Sequence, residues 1–167
     1  SNEYRSHSKR ESSWPDYDTL YQPMKTLVVN KKAFFNYEVL ETYTAGIKLE
    51  GREIKSLRFS KASFSGSFVS ILDGKPYLQD LNIPRYRYDG SLEYNPKRRR
   101  LLLLKKSEIE RLEGQLSSGG ITVVPLEIGF EREWAKVKIG LVRGKKQFDK
   151  RRSIREKEER RKMQRIL

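Results

Sequence analysis

Between Arg143 and Leu167 the chain carries twelve lysines and arginines against four acids, so this stretch alone holds +8 of a formal net charge of +14. It opens Arg143-Gly144-Lys145-Lys146-Gln147-Phe148-Asp149-Lys150-Arg151-Arg152 and offers almost no apolar side chains to a core. Cations at this density neutralise phosphates, so the chemistry on offer is contact with a polyanion, nucleic acid first. A solvated, solubilising end is the plain alternative, but such ends repeat one charge type and lack a Gly-Lys-Lys turn and a ring ahead of the basic run. Two further stretches qualify, Arg85-Tyr86-Arg87-Tyr88-Asp89-Gly90 and Pro96-Lys97-Arg98-Arg99-Arg100. Lysine and arginine hold phosphates while rings stack unpaired bases. The two tyrosines are expected to pack within the loop or core instead, and the four-cation run reads equally as a phosphate contact or an exposed loop end. Lys136 and Lys138 are better placed, because strand alternation projects both from one face.

Catalytic constellations are nearly absent. The single histidine, His7, lies in a polar lead, and there is no cysteine, so a histidine relay or a His/Cys metal site has no parts to build from. No cofactor is expected. Carboxylate-only metal chemistry, as in a nuclease, would need Asp80, Asp89 and Glu93 on one face, and no spacing puts them there. Gly140-Leu-Val-Arg-Gly144-Lys145-Lys146 echoes a phosphate-cradling loop but is one residue short between the glycines and lacks the Ser/Thr after the lysine.

What must position these residues is one domain with appendages, since 167 residues at 36% hydrophobic content fill a single modest core. Residues 1–23 are polar, without periodicity, and are expected to be a disordered extension. The lack of an initiator Met suggests processing or an artificial start point, and the four acids of this segment argue against an intact transit peptide. Residues 24–142 form the predicted RNA-binding domain and 143–167 the basic tail. No apolar run approaches the roughly 20 residues that span a bilayer, so no membrane contact is expected. The absence of cysteine fits a reducing compartment. Ala135, Val137, Ile139 and Leu141 alternate against the two lysines as a half-buried strand. Tyr37 to Leu49, Phe68 to Leu72, Tyr77 to Ile83 and Ile121 to Phe130 read the same way. Asp73-Gly74 joins two of these runs as a hairpin. Short strands at close spacing predict an all-β barrel or sandwich. One helix interrupts them, with a capping box at Ser107 and Glu110, an apolar face of Ile109, Leu112 and Leu116, and a stop at Gly119-Gly120. A shorter helix is expected from Glu53 to Phe59. The tail is expected to be disordered alone and to turn helical from about Ser153, capped by Ser153 and Glu156, when laid on RNA.

Ordered motifs add a resemblance. Asn30-Lys31-Lys32-Ala33, Glu41-Thr42-Tyr43-Thr44-Ala45-Gly46, Gly51-Arg52-Glu53-Ile54-Lys55-Ser56-Leu57-Arg58 and Lys61-Ala62 begin the series. Leu102-Leu103-Leu104, Val123-Val124-Pro125-Leu126, Lys136-Val137-Lys138-Ile139-Gly140 and Gly144-Lys145-Lys146-Gln147-Phe148-Asp149-Lys150-Arg151 complete it. Over about Leu27 to Leu167 the chain resembles the SsrA-binding protein (small protein B) family, partners of transfer-messenger RNA in bacterial ribosome rescue. The resemblance implies a mainly β fold, a closed oligonucleotide-binding-type barrel of about six antiparallel strands with peripheral helices and a basic C-terminal tail. It implies that the barrel holds the tRNA-like domain of tmRNA and that the tail enters the vacant messenger channel of the ribosome, against small-subunit rRNA. RNA-contact positions of the family fall here on Asn30, Leu103 and Lys136, and their cationic neighbours Lys31, Lys32 and Lys138 are expected to join them. Gly144, Lys145, Lys146, Phe148, Asp149, Lys150 and Arg151 serve the ribosomal step, with Gly144 as a flexible turn and Phe148 stacking on a base near the decoding centre.

Three places depart from the family pattern. Thr44 stands where the family has a glutamate used in RNA binding, Leu101 replaces a lysine, and Phe34-Phe35-Asn36 replaces an Arg-His-acidic run. Phe34 and Phe35 are expected in a locally rearranged core. The reading is a monomeric, non-enzymatic translation factor of the bacterial cytoplasm, with an organelle matrix as the alternative. The competing readings are a ribosomal or assembly protein on an oligonucleotide-binding barrel and, from another class, the carboxylate-dependent nuclease.

Overall fold

The computed structural model describes residues 24–59 and 62–166, so the expectations for residues 1–23 and for Lys61 lie outside the described residues, as do those for the side chains of Phe148 and Asp149. In chain order the elements are β1 (Lys25–Val29), α1 (Lys31–Asn36), β2 (Tyr37–Ile47), α2 (Gly51–Phe59), β3 (Phe68–Leu72), β4 (Lys75–Gln79), β5 (Arg100–Leu103), α3 (Lys106–Leu116), β6 (Ile121–Glu131), β7 (Trp134–Gly144) and α4 (Gln147–Ile166). Seven strands, one more than expected, form a single antiparallel sheet in the order β1-β6-β7-β2-β5-β4-β3. β1 and β3 are its edges, and among the described residues no ladder joins them.

Alternation carries the main core. Ala45 and Ile47 of β2, Leu102 of β5, Val123 and Ile128 of β6, and Val137, Ile139 and Leu141 of β7 face inward together, closed by Leu57 of α2 and Leu112 of α3. The predicted hairpin is there: Asp73 and Gly74 have φ of 51° and 73°, and two consecutive positive φ values match the twist that β3 and β4 need.

β6 is apolar on both faces because α1 covers its back. Val124, Leu126 and Val142 pack there against Ala33, a second small core. Pro125, which lacks an N–H, falls where the β6–β7 register shifts, the place where a strand tolerates proline. Its carbonyl accepts from Asn30 Nδ2 at 2.8 Å. Ala33 is the only buried residue of α1, so Phe34 and Phe35 stand 45% and 38% exposed rather than in the core. The reason is geometric: at about 100° per residue, the two positions after Ala33 cannot share its face.

Other local readings shift. α3 begins at Lys106, with Glu108 Oε1 accepting from Lys105 N at 2.9 Å, so the expected Ser107/Glu110 box is displaced by two residues. α2 begins two residues earlier than predicted, at Gly51. α4 begins at Gln147, which puts Ser153 inside the helix, where its hydroxyl accepts from Lys145 Nζ at 3.0 Å. Glu156 pairs with Arg152 at 3.2 Å instead of capping.

Gly129 marks a close approach of two strands. A Cβ there would lie 2.0 Å from Lys25 O, so β1 can pair with β6 only across a glycine. Gly129→Ala should therefore cost about 1–3 kcal/mol, the usual range for forced overpacking. Urea denaturation measures it, and an unchanged midpoint would show that β1 moves aside freely.

Candidate nucleic-acid interface

The register of the sheet assembles a row that sequence spacing could not reveal. Gly46 of β2 lies between Lys136 of β7 on one side and Leu103 of β5 on the other, paired with each. Thr44 sits two residues along the same strand, opposite Lys138. Leu102 points into the core, so its neighbours Leu101 and Leu103 turn outward, and Leu103 is 56% exposed. Gly46 has no side chain to fill the row: a Cβ there would come within 3.2 Å of Leu103 Cβ.

Thr44, Gly46, Leu101, Leu103 and Lys136 line an open groove of about 540 Å³. Lys75 and Gly74 bound it from the β3–β4 hairpin, and Lys105, Glu108 and Ile109 from the start of α3. A salt link fixes that helix: Arg111 Nη2 donates to Glu41 Oε1 at 2.7 Å, and Tyr43 OH to Glu41 Oε2 at 2.6 Å. The hydrogen bond from Arg111, then that from Tyr43, holds the Glu41 carboxyl below its ordinary range. The groove thus offers an apolar strip of two leucines with lysines at its margins. Such a surface suits a sugar–phosphate backbone whose riboses rest on the strip while phosphates meet Nζ atoms. Lys138 is half-buried and lies 3.5 Å from Glu127, so part of its charge is already answered.

The other expected RNA contacts lie elsewhere. Asn30 caps α1: its Oδ1 accepts from Ala33 N at 3.2 Å while its Nδ2 serves Pro125. Both ends of the amide are engaged within the fold. Lys31 and Lys32 are exposed in the first turn of α1. With Asn30 they edge a second groove, of about 730 Å³, bounded by Val28 and Val29 of β1 and by residues 62–68. The two grooves share no residue.

In the tail, Gly144 is no free turn: it is the last residue of β7, paired with Tyr37. Lys145 N donates to Asn36 O at 2.9 Å, which latches the strand-to-helix junction to the end of α1. Lys146, just before α4, is exposed, and in the first turns of the helix Arg151 is exposed and Lys150 half-buried.

The run Lys97 to Arg100 is mostly consumed by the fold. Arg100 is fully buried, its Nε donating to Glu53 Oε2 at 2.6 Å, and Arg98 Nη2 donates to Glu53 Oε1. Arg99 lies over the Tyr77 ring, 4.4 Å from its centroid. This buried arginine, and the groove roles of Gly46 and Lys75, were missed from sequence. The Arg100-Leu101-Leu102-Leu103 alternation was the signal for the first, since Arg100 must share the inward face of Leu102.

A family model described as SmpB protein matches residues 27–167 of the chain. The SsrA-binding protein of Synechococcus sp. (strain JA-3-3Ab) is 46% identical over 145 residues, 86% of this chain and 94% of the relative. That of Thermus thermophilus is 48% identical over 130 residues, 77% and 90% of the two chains. Among solved structures, a chain described by the words "tmRNA-SmpB: a journey to the center of the bacterial ribosome" aligns with a TM-score of 0.62 at 49% identity, covering 72% of this chain and 85% of that one. With a match running from Leu27 through β1, the groove and the latched tail to Leu167, this chain belongs to the SmpB protein family.

Proposed function

We propose that this protein binds the tRNA-like domain of tmRNA and delivers it to stalled bacterial ribosomes for trans-translation, with its tail occupying the empty messenger channel. The relatives' name, SsrA-binding protein, and the tmRNA–SmpB neighbour support the partner. The observation that carries the site is the Lys136–Gly46–Leu103 row and its groove. Lys136, Lys138 and Lys75 meet phosphates there, while Leu101 and Leu103 pack against sugars and bases. Thr44 keeps a hydroxyl where a carboxylate would sit, so it can hydrogen-bond an RNA hydroxyl without repelling a phosphate. The approach of β3 to β6 supports the further reading that the sheet curls into an oligonucleotide-binding-type barrel.

The protein works by shape and charge, as a monomeric, non-enzymatic factor of the cytoplasm, and asks no bond-making of its side chains. The junction before α4 supplies Lys145 and Lys146 to ribosomal RNA, and the first turns of α4 supply Lys150 and Arg151. Its outward residues Ile154 and Met163 make no apolar stripe, so by itself the helix is marginal and its order is completed on the ribosome. Residues 24–142 then act as the RNA-binding domain and 143–167 as the ribosomal probe. Asn30 acts through α1, by holding Lys31 and Lys32 in place, rather than by its own amide.

Sequencing the RNA that copurifies with the chain tests the partner: tmRNA is expected, and ribosomal RNA held during active translation would overturn it. Changing Lys136 and Lys138 to Glu tests the site. The apolar face of β7 is untouched, so the fold should persist, while affinity for the structured RNA falls. Each lost phosphate contact should also flatten the salt dependence by about one unit of slope. An unchanged slope would remove the lysines from the interface.

A further inference from the structure

Phe59 and Tyr88 are 81% and 76% exposed and line neither groove. Large rings left this open call for a reason. They are not scattered: the Phe59 and Tyr86 centroids are 6.3 Å apart at an interplanar angle of 30°, and Tyr86 meets Tyr88 at 5.6 Å and 71°. Two cations flank the trio. Lys55 Nζ stands 5.8 Å from the Tyr86 ring centre and Arg87 Cζ 5.8 Å from that of Tyr88.

The loop that carries the tyrosines is held rigid. Asp89 N closes a turn onto Tyr86 O at 3.0 Å. The Asp89 carboxylate accepts from Ser91 Oγ at 2.6 Å and lies 3.5 Å from both Arg52 and Arg85. Ser56 Oγ, from α2, donates to Pro84 O. The one acid of the Arg85–Gly90 loop is therefore neutralised, and what faces solvent beside the rings is cationic. A preorganised ring cluster with two exposed members and flanking cations is an arrangement that binds unpaired bases, because every base has a face to stack and every nucleotide a phosphate to meet.

We propose that Phe59, Tyr86 and Tyr88, with Lys55 and Arg87, form a second RNA contact that stacks bases of a single-stranded segment. It rests on RNA being the partner of this chain but not on the groove of Lys136. The test uses the full chain and a fluorescent oligoadenylate of about twelve nucleotides, a length within the usual span of such sites. The double change Phe59→Ala and Tyr88→Ala should weaken oligonucleotide binding about tenfold or more. Tyr88→Phe, which keeps the ring, should bind as the parent does. Lys55→Gln and Arg87→Gln should each lower the salt slope by about one unit, a readout that does not depend on how the alanine variant folds. Lys136→Glu with Lys138→Glu should lose structured RNA but keep most of the oligoadenylate affinity, which separates this site from the groove. Parental affinity in the double alanine variant, an unchanged salt slope in both glutamine variants, or no binding of oligoadenylate by the parent would each overturn the proposal.

Discussion

Arg100→Met should cost about 3–5 kcal/mol of folding stability, the usual penalty for breaking a buried ion pair from one side. For a domain of this size that lowers the thermal midpoint by roughly 10 °C or more. The Arg100 side chain is completely enclosed and gives Nε to Glu53, Nη1 to Leu81 O and Nη2 to Pro96 O. Its loss would leave Oε2 of a buried carboxylate and two carbonyls without this donor, while Oε1 keeps Arg98 and the Glu50 amide. Replacing both partners, Glu53→Leu with Arg100→Met, should be less damaging than the single change, because no charge is left in the interior. A calorimetric scan decides it, and a single variant that melts with the parent would show that the pair contributes nothing.

The same carboxylate makes stability depend on acid. Burial pushes Glu53 up, but the hydrogen bonds from Arg98 and from the Glu50 amide, then the charge of Arg100, outweigh it and leave the group below its ordinary range. A carboxyl whose folded pKa lies below its unfolded one contributes stability above the unfolded value, and that contribution disappears as pH falls through the folded one. The parent should therefore lose stability on acidification through and below the carboxylate range, and Arg100→Met should flatten that loss.

Removing residues 147–167 should abolish ribosome rescue while leaving the fold and most RNA affinity in place. β7 and the Lys145–Asn36 hydrogen bond survive that cut, and among the described residues none of α4 belongs to either core. The assay is peptide release or tagging on ribosomes stalled without a stop codon. A truncated chain that still rescues, or one that no longer folds, would refute the division of labour between domain and tail. Within the full chain, Glu159→Pro should impair rescue, since proline inside a helix costs about 3 kcal/mol, whereas Glu159→Ala should be nearly silent.

What could be read from the sequence was what is local. Asp73-Gly74 announced its hairpin, and the alternation from Ala135 to Leu141 announced both the inward face of β7 and the outward lysines. α1 was invisible, because six residues give no helical period and Lys-Lys-Ala-Phe-Phe-Asn resembles a polar turn followed by core. Asn30 is a good cap by residue type, but its motif drew attention to RNA first. The basic run misled for a different reason: the partner of Arg98 and Arg100 is Glu53, more than forty residues earlier, and nothing short of the fold joins them. The groove is the extreme case. Thr44, Leu103 and Lys136 meet only through the β5–β2–β7 register, and the residue that lets them meet is a glycine with no chemistry of its own.

The latch between Lys145 and Asn36 sets more than an attachment point. It fixes the origin of a rod of 20 residues, about 30 Å long at 1.5 Å per residue. One residue inserted just after the latch would lengthen that rod by only about 1.5 Å yet turn every side chain beyond it by about 100°. The quantity held constant between the RNA groove and the tip of the tail is therefore a rotational phase more than a distance. Evolution can vary the composition of the helix more readily than the number of residues between Gly144 and its first turn.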